Sequence, residues 1–373
     1  MNQIRTDIEP SLDLFLKETP MMDVRAPAEF EKGSLPSAQN HPLLDNDQRH
    51  QIGLCYKRKG PEKAVALGYE LATPEVRKQR INRWLDFTKL HSEGYIFCSR
   101  GGQRSHITQE WLAQAGCHYP LIKGGYKAIR QFLLEQMDTA IRDSQVIIVS
   151  GRTGSGKTQL LLKLDNAIDL EGLAYHRGSS FGRHIYPQPT QTRFENNLAI
   201  ALLRNHHYFP DKPLLLEDES RLIGRNCLPP ALRDKMKSAP LILLEEPMEH
   251  RLNIGIQEYV VDNLNENIAV LGEQKGFDYF CTSLYESLER IKKRLGGKRH
   301  KVLHDLMDNA IDLHRSHNDL TGYRPLIDNL LTWYYDPMYD YQLSKKTGKL
   351  LFRGTQEEIL QHYPNIMIQH QRN

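Results

Sequence analysis

The stretch Val146-Ile147-Ile148-Val149-Ser150-Gly151-Arg152-Thr153-Gly154-Ser155-Gly156-Lys157-Thr158 decides how the chain is read. Its first part is a continuous apolar run, the pattern of a strand buried on both faces. The rest is a complete G-x-x-x-x-G-K-[ST] motif, and Leu160, Leu161, Leu162 and Leu164 follow as the start of a helix. Phosphates need several backbone N–H groups converging on one point, which requires glycines where side chains would block the approach. Gly151, Gly154, Ser155 and Gly156 are therefore expected to cradle a phosphate group. Lys157 would supply a cation to the outer phosphates and Thr158 a hydroxyl ligand for Mg2+. The metal's carboxylate partner belongs at the end of a neighbouring strand. Leu214-Leu215-Leu216-Glu217-Asp218-Glu219 has that form, with Asp218 or Glu217 the expected carboxylate and Asp218 the assigned ligand; Glu245-Glu246, after Leu241–Leu244, is the rival.

Outward from this motif, the 373 residues suffice for two domains and a further element. Lys and Arg number 49 against 46 Asp and Glu, a net +3 that is too mild to announce a nucleic-acid binder by itself. No apolar run approaches the roughly 18 residues of a membrane span, and Met1–Pro10 lacks the apolar core of a signal peptide. The five cysteines are scattered without C-x-x-C spacing, so neither a disulfide framework nor a structural zinc is indicated. A cytoplasmic setting is expected.

A second anion cradle precedes the first. Gly94–Phe97 reads as a short strand, and Cys98-Ser99-Arg100-Gly101-Gly102-Gln103-Arg104-Ser105 follows as a glycine-rich loop opening a helix from Ser105 to Ala115. A Cys so placed meets converging N–H donors, a helix dipole and two arginines, which together stabilise a thiolate or an anion beside it. Residues 73–91 read as helical, and alternating strands and helices argue for a parallel α/β layer.

These residues resemble a known domain. Asp23-Val24-Arg25, Glu29-Phe30, Gly33, Pro36 and Pro42 are similar to the opening signature of rhodanese domains; Cys98–Ser105, Gly116 and Leu121–Gly125 are similar to the later one. Five residues separate Cys98 from Arg104, where ordinary rhodaneses have four; the longer spacing is that of Cys-dependent phosphatases and arsenate reductases and suits a phosphate-sized group. A rhodanese-like domain followed by a P-loop resembles the tRNA 2-selenouridine synthase family, as do Gly53–Lys57, Leu170–Ala174, His176–Gly182 and Tyr334–Tyr339. The resemblance implies a transferase that converts wobble 2-thiouridine in tRNA to 2-selenouridine. It implies two steps: geranylation of the sulfur by geranyl diphosphate, then displacement of the geranylthio group by selenium from selenophosphate. Cys98 would carry the selenium as a selenosulfide, with Ser99 to Ser105 holding selenophosphate, and Gly151–Thr158 would grip the diphosphate. A selenophosphate-producing enzyme is then an expected partner. The alternatives are a Cys-dependent phosphatase or arsenate-reductase-like enzyme with a regulatory nucleotide domain, or a non-catalytic RNA-binding NTPase.

The charge is unevenly spread. Arg290, Lys292, Lys293, Arg294, Lys298, Arg299 and Lys301 lie within twelve residues that contain no acid. Such a run suits an RNA backbone, and Tyr334, Tyr335, Tyr339 and Tyr341 are expected to stack on unpaired anticodon bases. The chain is thus expected to be α/β. It would comprise an N-terminal rhodanese-like parallel-sheet domain (1–138), a P-loop NTPase-like α/β domain (139–275) and a mostly helical, basic C-terminal region (276–373).

Overall fold

Three short strands, β1 (Met21–Asp23), β2 (Ala38–Asn40) and β3 (Tyr95–Phe97), pair in parallel in the order β2-β1-β3 in the computed structural model, which describes residues 5–371. All of β1 is buried. Its polar member, Asp23, is neutralised by Arg25 at 2.6 Å, and Arg25 also donates to the Gly33 carbonyl at 2.8 Å. Breaking such a pair leaves an uncompensated buried charge, which ties the Asp-Val-Arg signature to folding. The helix Pro74–Leu90 starts where the Thr73 hydroxyl accepts from the Val76 amide, and its Trp84 and Phe87 pack in one core with Met22, Val24, Ile96 and Trp111. The helix after Cys98 spans Gln103–Gln114, two residues earlier than its expected start, because Gly102 takes the N-cap position.

Elements up to Ala140 form one unit together with Thr192–Arg204, most of the helix Gln191–Tyr208. Within it Arg130 donates to Asn196 at 2.8 Å. Ile141–Gln191 and the chain from Asn205 onward form the second unit.

The second unit holds β4 (Val146–Ser150), β5 (Ala167–Ile168), β6 (Leu214–Glu217), β7 (Leu222–Ile223), β8 (Asn226–Cys227), β9 (Leu241–Leu244) and β10 (Leu350–Gly354). Five of these make a parallel sheet in the order β10-β9-β4-β6-β5, while β7 and β8 form a small antiparallel pair. β4 is buried at every residue, as its apolar run requires. The strand order reverses at β4: the chain runs from β4 out to β5 on one side, back to β6, and then across to β9 on the other. The crevice beyond its carboxyl end is therefore the place where an α/β sheet binds ligands, and Gly151–Thr158 lies there.

β10 was not foreseen within the helical stretch from 276 onward. It is a sheet-edge strand with half-exposed residues, so its side chains carry little of the apolar pattern that reveals a buried strand. The helices Glu273–Leu295 and Gly297–His317 pack on one another through Phe280, Leu284, Leu288 and Ile291 against Leu303, Met307 and Ala310. Among the described residues, no helix is long and apolar enough to cross a membrane.

Candidate functional site

Gly154 and Gly156 both adopt positive φ, 76° and 78°, and a Cβ on Gly154 would lie 2.9 Å from the Arg251 carbonyl. Glycine is therefore required for the loop to curl back over the start of the helix Lys157–Leu161. Lys157 Nζ donates to the Gly151 carbonyl at 2.9 Å and sits 5.4 Å from the centre of the Tyr339 ring. Buried Arg251 clamps the loop from outside: its Nε donates to the Thr153 carbonyl at 3.0 Å while its other nitrogens hold Asp336.

The cavity over this loop, about 40 Å³, is lined by Lys157, Thr158, Glu171, Arg177, Ser179, Glu258 and Tyr339 among others. Three polar groups here are buried without a hydrogen-bond partner, Thr153 Oγ1 and Ser155 Oγ within the loop and Arg177 Nη1 on the cavity wall. Buried donors are costly unless partnered, so an anion fits this setting. Burial works against the Lys157 ammonium, but Tyr339 and the acids Glu171, Glu219 and Glu217 hold its pKa above the ordinary lysine value. Those acids are raised in turn, by burial first and mutual repulsion second: Glu171 to about 9 and Glu219 to about 7. Sequence reasoning missed Glu171, Arg177 and Ser179. The strings Leu170–Ala174 and His176–Gly182 contain them, but nothing local shows that they face the phosphate loop.

Of the two expected carboxylates, the structure turns Asp218 away from Thr158 and Glu217 toward it. The Asp218 carboxylate accepts from Ser150 Oγ at 2.7 Å and pairs with Lys346. Glu217, the last residue of β6, accepts from Thr158 Oγ1 at 3.0 Å. Successive residues at a strand end point in opposite directions, so only one of the two can reach the loop. The rival Glu246 accepts from the Gln356 amide at 2.7 Å at the start of the C-terminal helix. A hydroxyl and a carboxylate are suitable hard-oxygen donors for Mg2+.

A second cavity, about 50 Å³, shares Thr153, Gly154 and Tyr259 with the first. Its remaining wall is almost wholly apolar: Phe181, Val260, Leu284, Leu326, Ile327, Leu330, Leu331 and Tyr335 among others. Two π-helical turns, Gln257–Asp262 and Leu331–Tyr335, each contribute to this wall, and such turns gather at functional sites. Tyr335 is only 4% exposed, which corrects the expectation that a base stacks on it. Tyr339 likewise belongs to the phosphate-loop cavity. Arg290, Lys292, Lys293, Arg294, Lys298, Arg299 and Lys301 are all exposed, around the junction of two helices.

In the first unit, Cys98 is 3% exposed, with Sγ 3.3 Å from Ser105 Oγ and 3.8 Å from the Gly102 carbonyl. Gly125 has φ 58°, and a Cβ there would lie 2.3 Å from the Cys98 carbonyl, so the Gly124-Gly125 turn packs directly under the cysteine loop. Arg100, Gly102 and Gln103 are exposed, while Ser105 is buried. Arg104 does not point freely into the loop. Its Nη1 donates to Glu29 at 2.6 Å and its Nη2 to Ser99 Oγ at 2.8 Å; Ser99 itself donates to Glu29 at 2.9 Å. Glu29 is thus the organiser that sequence reasoning did not assign. Burial would raise its pKa, but hydrogen bonds and charge from Arg104, with Ser99 and the Ala26 amide, hold it at about 2 against an ordinary 4.5.

Because the folded value is the lower one, this stabilisation is complete above pH 4.5 and is lost as the pH falls toward 2. Glu29→Gln is expected to lower the first unit's melting midpoint at neutral pH by about 2–4 °C, with the gap closing as the pH falls from 4.5 and the two proteins converging only toward about pH 2. Calorimetry across that range checks this; a gap independent of pH would mean that shape, not charge, is responsible.

Comparison with known proteins places these sites in a family. The family model for the tRNA 2-selenouridine synthase AAA domain matches residues 144–369. A tRNA 2-selenouridine synthase of Marinobacter nauticus is 50% identical over 355 residues, covering 95% of this chain and 96% of that one. Those of Shewanella halifaxensis and Hahella chejuensis are 47% and 45% identical, covering 94% and 96% of this chain and 96% and 94% of their own. The chain belongs to the tRNA 2-selenouridine synthase family.

Proposed function

We propose that this protein replaces the sulfur of wobble 2-thiouridine in tRNA with selenium, in two steps served by two loops. In the first, the thiocarbonyl sulfur attacks the prenyl carbon of geranyl diphosphate, the C–O bond breaks, and diphosphate leaves. In the second, selenium derived from selenophosphate attacks the same pyrimidine carbon and expels geranylthiol. A thiocarbonyl sulfur is a poor leaving group, whereas an S-alkylated carbon accepts a nucleophile and releases a thiol, so the order has a chemical reason. The first unit is read as rhodanese-like, with the Cys98–Ser105 loop holding selenophosphate: the C–Se bond forms as the C–S bond to the geranylthiolate breaks, and water then cleaves the Se–P bond so that phosphate leaves. Family membership across 95% of the chain supports the overall reaction.

The observation that carries the first step is the union of the phosphate loop with an apolar cavity through Thr153, Gly154 and Tyr259. A nucleotide offers a polar sugar and base beyond its phosphates; a prenyl diphosphate offers only hydrocarbon. The apolar wall matches the latter. Lys157, Ser155, Arg177 and the loop amides would bind the diphosphate and stabilise its developing charge. Thr158 and Glu217 would hold Mg2+, which supplies further neutralisation of the leaving group.

Narrowing the cavity tests this reading. Leu330→Trp is expected to raise KM for geranyl diphosphate about tenfold while leaving the affinity for inorganic diphosphate unchanged. An equal loss for both ligands would instead indicate a distorted loop, and no loss for either would remove the tail from this cavity.

A further inference from the structure

A third cavity in the second unit has a different character. It measures about 520 Å³, and its wall includes His176, Arg183, His184, Tyr186, Arg225 and Arg290, with no carboxylate along it. Ser179 belongs both to this wall and to the phosphate-loop cavity. Neighbouring residues divide between the two: Arg177 lines the phosphate-loop cavity and His176 lines the basic one. The segment from His176 to Ser180 is thus the partition between them.

The cavity is built, not incidental. Gln188 staples its floor, its Nε2 donating to Ala174, Ile223 and Asn226 at 2.9–3.1 Å while its Oε1 accepts from the Arg225 amide at 2.8 Å. Arg290 donates to the Ser180 carbonyl at 2.8 Å, and His184 is fixed by Glu266 at 2.8 Å. Gly224 is needed beside them, because its φ is 57° and a Cβ would lie 2.7 Å from the His176 ring. Two features remain unspent. Among the described residues, no carboxylate lies within ion-pair distance of Arg183 or Arg225. His176 is 92% buried on an exposure of 8%, yet its Nδ1 has no hydrogen-bond partner.

We propose that this basic cavity receives a single RNA nucleotide turned out of its stack, with Arg183, Arg225 and Arg290 on the flanking phosphates and His176 and Tyr186 on the base. The proposal rests on the tRNA substrate given above and adds the place where the target uridine enters. Arg183 and Arg225, without an acid in ion-pair range, and Arg290, which reaches Glu286 only at 3.9 Å, suit phosphodiesters, and Tyr186, 56% exposed, offers a face for stacking. The volume exceeds what one phosphate needs and accommodates a nucleotide. An enzyme that alkylates a base must extract it, and a pocket divided from the prenyl diphosphate only by Ser179 and its neighbours presents the base to that reagent. Burial first, then the positive charges of His184, Arg183, Arg290 and Arg177, push the His176 pKa down to about 4, so the imidazole there is neutral and can exchange hydrogen bonds with an uncharged base. Arg290 also begins the exposed basic run that ends at Lys301, so the cavity continues a track of positive charge.

The test uses the full-length protein and an anticodon stem-loop RNA carrying 5-iodouridine at the wobble position. Irradiation is expected to cross-link that base to the peptide containing residues 176–188. In parallel, Arg183→Glu and Arg225→Glu are each expected to weaken binding of the stem-loop about tenfold and to flatten its salt dependence, with Arg183→Lys restoring most of it. Binding of geranyl diphosphate without RNA should be unaltered in the same variants, which also shows that they are folded. Cross-links confined to other peptides, or RNA binding unchanged in both charge reversals, would overturn the inference and leave the phosphate-loop reading intact. Conversely, the cross-link at 176–188 would stand even if the phosphate loop proved to bind a nucleotide.

Discussion

Lys157→Ala is expected to depress S-geranylation of 2-thiouridine by about 10²–10³-fold while leaving the melting temperature close to that of the parent. The size follows from position. Lys157 is the ammonium in the phosphate-loop cavity, it is held charged by Glu171, Glu219 and Glu217, and its apo partner is only the Gly151 carbonyl. A departing diphosphate gains more charge as the C–O bond breaks than it carried when bound, so a fixed cation there acts chiefly on the transition state. The loss should therefore fall on kcat more than on KM. Selenation of a tRNA that is already S-geranylated should proceed at the parental rate, because that step is assigned to the other unit. Geranylation that survives in Lys157→Ala would remove the diphosphate from this loop.

Cys98→Ser is expected to do the reverse: geranylation continues, 2-selenouridine falls by about 10³-fold or more, and S-geranyl-2-thiouridine accumulates. Serine preserves the size of the buried side chain and its neighbours Ser105 and Gly102, so a folding defect is not the expected outcome. What is lost is the thiol at the centre of the loop assigned to selenophosphate. Nucleoside mass spectrometry of tRNA treated with the purified variant checks both pools. Undiminished selenation would return the first unit to the role of a scaffold.

Both loops were legible in the sequence because their chemistry is local. The glycines of 151–156 and 101–102 and the flanking strands and helices are all specified within about a dozen residues. What escaped notice is non-local. Glu29 reaches Ser99 and Arg104 across some seventy positions, and Glu171 meets Glu217 only through the fold. Helix Gln191–Tyr208 lends Thr192–Arg204 to the first unit, a division that no composition shift announces. The tyrosines show the opposite error. Their number and spacing suggested an RNA face, but a π-helical turn at Leu331–Tyr335 rotates Tyr335 into the apolar cavity. The charge of +3 concealed a partition rather than a balance: carboxyls gathered by the phosphate loop, and three arginines but no carboxylate lining the adjoining cavity.

The most direct test of the central claim, two steps in fixed order, is a time course with the purified protein, 2-thiouridine tRNA, geranyl diphosphate and selenophosphate. Wobble nucleosides would be quantified by mass spectrometry at each point. S-geranyl-2-thiouridine is expected to rise first and then decay as 2-selenouridine appears, with no 2-selenouridine when geranyl diphosphate is omitted. Formation of 2-selenouridine at an equal rate without geranyl diphosphate would contradict the account.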